Sequence, residues 1–362
     1  MRIVQIIDSL ETGGAERMAV NYANSLSGHI EFSGLIATRK EGLLRNYINE
    51  NVSYLFLEKK SSFDLRAISK LKNYLKSNRI EIIHAHSSSF FIAVLIKFIM
   101  PKIKIVWHDH YGISQNLELR KNLVLKWSSY FFSGIVSVNL SLKKWAENYL
   151  KCSEVIYLPN FIQNSNTVAK PVKLKGIDGK RIICIANLRP QKNHELLIES
   201  AFHIQKKFPD WTFHLVGKDF NDSYSEELRN KVNKLKLNDT IFFYGALDNT
   251  QKLLEKSEIG VLTSLSEGLP LAVLEYGLSG LAVVATNVGE IPKIIYSENV
   301  GFLIESNNVN QLVNSIEKLI EDEYLRKEKG SCLKSFVEQH FSEKSILKDY
   351  LQWLKSLTTF AK

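Results

Sequence analysis

Short apolar runs recur along the chain, and each is followed by residues whose apolar positions repeat with the period of a helix. The runs are rich in Ile and Val, which is typical of strands buried on both faces of a parallel sheet. Because strand and helix alternate, the pattern predicts helices on both sides of that sheet. In the first half of the chain the predicted strands are Ile3–Ile7, Glu31–Ala37, Val52–Leu57, Glu81–Ala85, Ile103–Trp107, Ile135–Val138 and Glu154–Leu158.

A polar stretch interrupts this pattern, and a second series of strands and helices follows it. Residues 163–173 have little apolar periodicity, and we assign a linker to residues 166–178. A last amphipathic helix is predicted from about Ser342 to Leu357. Between the linker and that helix the predicted strands are Arg181–Ala186, Thr212–Val216, Thr240–Tyr244, Gly260–Leu262, Ala282–Ala285 and Gly301–Leu303.

The whole pattern predicts an α/β protein with two doubly wound, Rossmann-like domains. We place them at residues 1–165 and 179–341, followed by a C-terminal helix within residues 342–362. Ligands of doubly wound sheets bind beyond the carboxyl ends of the strands. We therefore expect the functional site in a cleft where the strand ends of the two domains face each other.

The composition is that of an ordinary folded protein, with 45% hydrophobic and 23% charged residues. Met1 to Ile7 runs straight into a strand and lacks the charged and apolar regions of a signal peptide, so we expect a cytoplasmic protein. The three cysteines, Cys152, Cys184 and Cys332, are too widely separated for a disulfide framework or paired zinc ligands. We expect all three to be reduced.

Positive charge is concentrated in the first half of the chain. Residues 1–165 hold 21 Lys and Arg against 13 Asp and Glu, whereas the remainder holds 26 against 25. Two predicted basic amphipathic helices, Leu65–Lys76 and Leu119–Trp127, fit either a solvated face or a membrane-facing surface. The longest apolar run, Phe90 to Met100, is about half the length that a spanning helix requires.

A pair of glycines, Gly13 and Gly14, lies between the first predicted strand and the first helix. Glycine lets backbone amides approach a ligand closely, and a helix N-terminus favours anionic oxygens. The pair therefore fits a phosphate contact, with a tight turn as the alternative. The spacing is not that of a dinucleotide fingerprint.

His108 is predicted near the end of a strand and is followed by Asp109. A side chain at such a strand end projects towards the expected cleft. A neighbouring carboxylate can hold an imidazole in one tautomer, so that it offers a proton or a hydrogen bond to a reacting group. His84 and His86 occupy alternate positions of the preceding strand, on one face, and we interpret them as structural.

The second predicted domain carries two further polar loops. Arg189 and Lys192 precede a helix and are suited to hold a diphosphate without a metal ion, with a solvated loop as the alternative. Glu267 and Glu275 are eight residues apart and share a face if a helix begins near Pro270. An internal Glu beside apolar residues needs a hydrogen-bonding partner, for which ribose hydroxyls are suitable.

Taken together, these motifs resemble the retaining glycosyltransferases of family 4, which have the GT-B fold. The resemblance covers nearly the whole chain, and the segment from Glu267 to Glu290 is its most specific part. It implies a nucleotide-sugar donor linked to UDP or GDP, with no cofactor and no metal ion. The implied catalytic residues are His108 and Glu267, the implied donor-binding residues are Gly14, Arg189, Lys192, Gly217, Gly268, Leu269, Leu271 and Glu275, and the implied acceptor-binding residues are Gly13 and Glu16.

The resemblance also implies particular roles. Glu275 would bind the ribose, Lys192 the diphosphate, and Glu267 the hydroxyls of the donor sugar, with His108 near the reacting carbon. The sequence departs from the family at four positions. Asn187 replaces an Arg, so its role shifts to Arg189 or is weakened, and the other departures are Tyr276, Glu290 and Phe161.

Acceptors in this family are glycans or polyprenyl-linked sugars, often at an anionic membrane surface. The resemblance thus implies surface polysaccharide synthesis and a peripheral position on the inner face of the plasma membrane. The alternatives are a sugar-nucleotide epimerase or phosphorylase of the same fold, and a sugar-nucleotide-binding subunit without catalysis. No nucleic-acid-binding motif accompanies the basic charge, so nucleic acid is not an expected partner.

Overall fold

A computed structural model describes residues 1–112, 117, 120, 122–162, 173–247 and 250–359. The chain divides into two compact units. The first unit is Met1–Gln163 together with Glu343–Lys362, and the second is Asn164–Ser342. Of the predicted linker, residues 166–172 lie outside the described residues. Its remainder belongs to the second unit, where Arg181 donates to the carbonyls of Lys175 and Gly176 at 2.9 and 3.2 Å.

The first unit is built on a parallel sheet with helices on both faces. Its strands are β1 Arg2–Ser9, β2 Phe32–Lys40, β3 Ser53–Phe56, β4 Ile82–His86, β5 Lys104–Asp109, β6 Gly134–Ser137 and β7 Val155–Tyr157. Its helices are α1 Gly14–Ser27, α2 Leu65–Ser77, α3 Phe90–Ile99, α4 Leu123–Ser128, α5 Leu140–Tyr149 and, at the end of the chain, α13 Glu343–Thr359.

The strands of the first unit lie in the order β3-β2-β1-β4-β5-β6-β7, all parallel. The order reverses between β1 and β4, so the loops that follow these two strands leave towards opposite faces of the sheet. This is the topological switch point, the position at which doubly wound sheets bind ligands.

The C-terminal helix α13 packs on the sheet of the first unit. A methyl group on Gly134 would lie 2.6 Å from the indole of Trp353, so the helix approaches β6 too closely for any larger residue there. Lys104 donates to the carbonyl of Leu357 at 2.8 Å, and Tyr350 is fully buried against the sheet. The last helix is therefore part of the core of the first unit.

The second unit repeats the same design. Its strands are β8 Arg181–Ile185, β9 Thr212–Val216, β10 Ile241–Phe243, β11 Ile259–Leu262, β12 Ala282–Thr286 and β13 Phe302–Ile304. They lie in the parallel order β10-β9-β8-β11-β12-β13, so the switch point is between β8 and β11. Its helices are α6 His194–Lys207, α7 Ser223–Lys234, α8 Gln251–Leu254, α9 Leu271–Leu278, α10 Ile291–Ile294, α11 Val309–Glu321 and α12 Glu323–His340.

Each strand predicted from the sequence overlaps a strand of the structure. The predicted basic helix Leu65–Lys76 is α2, which begins where the side chain of Asp64 accepts from the amide of Ala67 at 3.0 Å. The second predicted basic helix begins later than expected, since α4 starts at Leu123, and Leu119 lies outside the described residues.

Candidate functional site

Two loops meet at the switch point of the second unit, one between β8 and α6 and the other between β11 and α9. The amide of Leu265 donates to the carbonyl of Gln191 at 2.8 Å, and the side chain of Gln191 donates to the carbonyl of Ser266 at 2.7 Å. The two loops are thus joined by hydrogen bonds, which brings the sequence motifs containing Lys192 and Glu267 together.

Lys192 and Glu267 form an ion pair in this pair of loops. Lys192 Nζ lies 2.5 Å from Glu267 Oε1, and the same oxygen accepts from Ser264 Oγ at 2.6 Å. The side chain of Glu267 is 7% exposed, whereas that of Lys192 is 23% exposed. Since the carboxylate is buried and fixed, the ammonium is held at the edge of the loops, where it can contact an anion.

The loop that carries Glu267 is held from a third side by the segment after β12. Gly289 has φ +58°, and a methyl group there would lie 2.1 Å from the carbonyl oxygen of Glu267. The next amide, that of Glu290, donates to the carbonyl of Gly268 at 3.0 Å, and the Glu290 side chain pairs with Lys293. The acidic departure from the family pattern at this position is therefore satisfied locally.

Helix α9 begins at Leu271, directly after Pro270, as predicted. The amides of its first turn have no acceptor within the helix, because the N-terminal turn of any helix leaves these donors free of intrahelical bonds. Gly268 and Leu269 precede it and are buried. The first turn of α9 therefore presents backbone N–H donors next to the loop that carries Lys192.

Glu275 lies inside α9 and is less enclosed than expected. It is half-buried, and its carboxylate accepts from Thr250 Oγ1 at 3.5 Å, whereas the neighbouring Val273 and Leu274 are fully buried. The partial exposure lowers the desolvation cost that the sequence suggested, and it leaves the carboxylate accessible for a ligand.

Tyr276, the bulky departure from the family pattern, is fully buried because the sheet makes room for its ring. A methyl group on Gly260 of β11 would lie 2.5 Å from that ring. The hydroxyl accepts from the amide of Ile185 at 2.7 Å and donates to the carbonyl of Val261 at 3.3 Å. The side chain therefore ties the ends of β8 and β11 together beneath the site.

Two other predicted donor-binding residues have different surroundings. Arg189 is exposed, with its guanidinium 4.5 Å from the ring centre of Phe220. Gly217 has no room for a side chain, because a methyl group would lie 2.0 Å from the carbonyl oxygen of Ala186. Asn187 accepts from the amide of Lys218 at 2.8 Å, so it holds the two loops together and has no cationic role.

In the first unit, the glycine pair lies at the start of α1, at the switch point. A methyl group on Gly13 would lie 2.2 Å from the carboxylate of Glu16, whereas one on Gly14 would meet no atom within 4 Å. Glu16 is half-buried and accepts from Ser9 Oγ at 3.2 Å. Burial raises the pKa of the Glu16 carboxyl above its usual value.

His108 is 1% exposed and belongs to a cluster of four histidines on the face of the sheet covered by α1 and α13. His108 Nδ1 lies 3.1 Å from His84 Nε2, and His86 Nδ1 lies 2.9 Å from His110 Nε2. Burial holds the pKa of His84, His86 and His108 well below the usual range. The four rings are thus neutral at pH 7.

The expectation that Asp109 holds His108 in one tautomer is wrong. Successive residues of a strand point to opposite faces, so the Asp109 carboxylate lies on the other side of the sheet. There it accepts two hydrogen bonds from Arg120, at 2.6 and 2.9 Å, and the guanidinium lies 4.3 Å from the ring centres of Tyr111 and Trp145. The partner of His108 is His84, which the sequence analysis interpreted as structural alone.

Among the described residues, His84, His86 and His108 are the group whose donor atoms lie close enough to hold a metal ion, within 4.8 Å of one another. Both nitrogens of His84 and of His86 are already engaged in hydrogen bonds. A cation would have to displace these bonds. The donor set is therefore better suited to a hydrogen-bonded network than to a metal centre.

Comparisons with known proteins agree with this architecture. Residues 12–187 match the family described as Glycosyltransferase Family 4, and residues 166–331 match the family described as Glycosyl transferases group 1. An uncharacterized glycosyltransferase of Haemophilus influenzae is 24% identical over 343 residues, covering 92% of this chain and 94% of that protein. The UDP-Gal:alpha-D-GlcNAc-diphosphoundecaprenol alpha-1,3-galactosyltransferase of Escherichia coli is 24% identical over 347 residues, covering 90% and 89%.

A solved structure of Anabaena HepE in complex with UDP-glucose has the same fold. It superposes with a TM-score of 0.78 at 18% identity and covers 98% of this chain and all of the other. The protein is a glycosyltransferase with the GT-B fold, built from two Rossmann-like domains. More specifically, the chain belongs to glycosyltransferase family 4.

Proposed function

We propose that this enzyme transfers a sugar, with retention of its anomeric configuration and without a metal ion, from a UDP- or GDP-linked donor to a lipid-linked or glycan acceptor in bacterial surface polysaccharide synthesis. The observation that carries the proposal is the Lys192–Glu267 ion pair at the switch point of the second unit, next to the start of α9. The Escherichia coli relative, by its name, uses UDP-galactose and a diphosphoundecaprenol-linked acceptor.

The donor would lie along the loops of the second unit. Lys192 and the first amides of α9 would bind the diphosphate, and Glu275, one turn into the helix and partly exposed, would accept hydrogen bonds from the ribose hydroxyls. Glu267 would accept a hydrogen bond from a hydroxyl of the sugar through Oε2, while Oε1 stays bound to Lys192 and Ser264. We assign supporting roles here to Arg189, Gly217, Gly268, Leu269 and Leu271.

The proposed reaction uses this arrangement. The bond between the anomeric carbon and the diphosphate oxygen breaks, and negative charge builds on the diphosphate, where the Lys192 ammonium stabilises it. An acceptor hydroxyl attacks from the same face and transfers its proton to the leaving diphosphate, which retains the configuration. The products are a glycoside and a nucleoside diphosphate.

The first unit would contribute His108 and the turn at Gly13 and Gly14. A neutral imidazole can donate a hydrogen bond to a hydroxyl of the reacting sugar without adding charge to the site. Burial raises the pKa of the Glu16 carboxyl, and its oxygens, held at this turn, are suited to bind an acceptor hydroxyl. The open space at Gly14 would admit the ligand itself.

Calorimetric titration of the protein with UDP-, GDP-, ADP- and CMP-sugars in EDTA tests the donor site. Binding of one UDP- or GDP-sugar, followed by release of the nucleoside diphosphate when an acceptor is added, is expected. An epimerase would change the bound sugar without releasing the diphosphate. A binding subunit without catalysis would bind the donor and return it unchanged.

We further propose that the first unit docks on an anionic membrane through a surface that we call the α3–α4 patch. Large apolar side chains lie exposed there, at Phe98, Ile99, Leu123, Val124, Trp127 and Tyr130. In the same stretch Lys102 and Lys126 are exposed, and Lys97 of α3 is half-buried. Apolar side chains with a basic surround fit a bilayer interface whose headgroups are negative.

No helix among the described residues is both long and apolar enough to cross a membrane. Docking is therefore tested by sedimentation with vesicles that contain anionic lipid, at low and at high salt. Trp127→Ser should reduce the bound fraction roughly fivefold or more, because an aromatic anchor is lost. Tyr324→Ser, at an equally exposed aromatic of the second unit, is the matched control and should have no effect. Equal losses from both variants would contradict the α3–α4 patch.

A further inference from the structure

The buried histidine cluster contains a hydrogen-bonded chain that runs from the C-terminal helix to His108. Tyr350 Oη of α13 lies 2.8 Å from His84 Nδ1, and His84 Nε2 lies 3.1 Å from His108 Nδ1. The chain ends at His108 Nε2, which has no hydrogen-bond partner among the described residues. All three side chains are almost fully buried.

The direction of the hydrogen bonds follows from the hydroxyl at the start of this chain. Tyr350 is fully buried, and a buried hydroxyl needs an acceptor for its proton. Burial raises the pKa of Tyr350 well above its usual value, so the phenol keeps that proton. The Gln5 side chain also lies beside this hydroxyl, but its Oε1 already accepts from His86 Nε2, and its amide nitrogen can only donate. The acceptor for the Tyr350 proton is therefore His84 Nδ1.

The remaining protons are then determined. A neutral His84 that accepts at Nδ1 carries its hydrogen on Nε2 and donates it to His108 Nδ1. A neutral His108 that accepts at Nδ1 carries its own hydrogen on Nε2. We propose that Tyr350 and His84 are positioning residues that hold His108 as the Nε2–H tautomer, with its N–H directed to the substrate.

The neighbouring histidines do not set this tautomer. His86 Nε2 donates to Gln5 Oε1 at 2.8 Å, which leaves His86 Nδ1 to accept from His110 Nε2 at 2.9 Å. These hydrogen bonds, from Gln5 through His86 to His110, do not involve a nitrogen of His108. Tyr22 also lies against His108, with ring centres 5.6 Å apart, but among the described residues its hydroxyl has no hydrogen-bond partner.

The proposal has a chemical consequence. If the hydrogen bonds ran in the opposite direction, His108 would donate from Nδ1. Its Nε2 would then carry no hydrogen and would act as an acceptor or a base. With the inferred direction of the hydrogen bonds, His108 is a hydrogen-bond donor in the resting enzyme. The identity of the substrate that accepts this hydrogen bond rests on the proposed function, whereas the tautomer is a property of the protein without ligand.

The test is ¹⁵N NMR of the histidine side chains in the full-length protein, with the His108 signal identified by its absence in His108→Gln. The Nε2–H form is expected, and the Nδ1–H form would overturn the proposal. In Tyr350→Phe we expect a mixture of both forms. Tyr22→Phe removes a hydroxyl from the same cluster and should leave the tautomer unchanged. An unchanged tautomer in Tyr350→Phe, or an equal change in both variants, would overturn the proposal.

A second pair of variants keeps the test decisive if Tyr350→Phe folds poorly. His84→Gln retains an N–H that can donate to His108 Nδ1, whereas His84→Phe does not. We expect the Nε2–H form to persist in His84→Gln alone, and persistence in both would contradict the proposal. In transfer assays Tyr350→Phe should lower kcat roughly fivefold to tenfold, as expected from one lost hydrogen bond, with the donor KM unchanged. If the protein has the Nε2–H form of His108 but transfers no sugar, the result would contradict the proposed function and not the tautomer.

Discussion

The first unit places neutral imidazoles beside its switch point, whereas the second unit places an ammonium and a carboxylate there. His84, His86 and His108 are buried and uncharged; His84 is hydrogen-bonded to His108 and Tyr350, and His86 to Gln5 and His110. Lys192 and Glu267 are ionised partners, and the ammonium remains partly exposed. The same sheet topology thus carries two kinds of chemistry, one that orients hydrogen bonds and one that balances negative charge.

This difference accounts for the division of labour that we propose. Negative charge builds on the leaving diphosphate in the transition state, so a cation beside it affects the rate strongly. A sugar hydroxyl or an acceptor hydroxyl is neutral, and a fixed N–H or carbonyl oxygen is sufficient to orient it. Variants in each unit should therefore affect different steps of the reaction.

The largest effect is expected in the second unit, at Lys192. Lys192→Met keeps the length of the side chain but removes the charge that stabilises the leaving diphosphate, and kcat/KM should fall roughly 100- to 1000-fold. Steady-state transfer assays measure it. Lys334→Met, at an exposed cation of α12 in the same unit, is the control and should remain near the wild-type rate. A similar fall in both variants would show that net charge alone matters.

Next in size is a contrast between Glu275 and His108. Glu275→Ala should weaken nucleotide binding roughly tenfold or more, because hydrogen bonds to a charged group are lost. His108→Ala should lower kcat with little change in nucleotide binding. Calorimetry and transfer kinetics separate the two. Glu328→Ala, at an exposed position of α12, controls for loss of a helical carboxylate. Equal, small effects from Glu275 and His108 would contradict the assigned roles.

The third comparison of the two units concerns acid stability, and here the first unit should be the less stable. Burial lowers the pKa of its four clustered histidines, that of His110 to about 3, while the second unit has His194 and His214 with pKa values of about 4. The unfolded chain binds these protons below about pH 6.5, so the stabilisation is complete above that pH and is lost as the pH falls.

Hydrogen exchange resolved by unit measures this difference, after correction for the intrinsic pH dependence of exchange. Each neutral buried histidine lowers the free energy of unfolding by at most about 1.4 kcal/mol per pH unit below pH 6.5. We therefore expect the first unit to lose protection earlier between pH 6.5 and pH 4. Earlier loss in the second unit would show that the histidine cluster does not govern acid stability.

Most of the fold could be predicted from the sequence because buried parallel strands require short apolar runs. The strands from Ile3–Ile7 onwards were visible for this reason, and so was the start of α9 at Pro270. The ion pair of Lys192 with Glu267 could not be read from either motif. Their loops are brought together by β8 and β11, which are neighbours in the sheet but far apart in the chain.

The surroundings of His108 were harder to predict. Strand alternation alone could have excluded Asp109 as its partner, and the paired spacing of His84, His86, His108 and His110 on adjacent strands was the available signal. Tyr350 offered no signal, because it reaches His84 from a helix 266 residues further along the chain. Such contacts depend on tertiary packing, which local patterns do not encode.

The most direct test of the central claim is the configuration of the first sugar released. With the donor identified by calorimetry, slow hydrolysis of that nucleotide-sugar in EDTA is followed by ¹H NMR before mutarotation. We predict that an α-linked donor first gives the α-anomer, and that Lys192→Met suppresses its release. Initial formation of the β-anomer, or a rate that requires added divalent cation, would contradict retaining, metal-independent transfer.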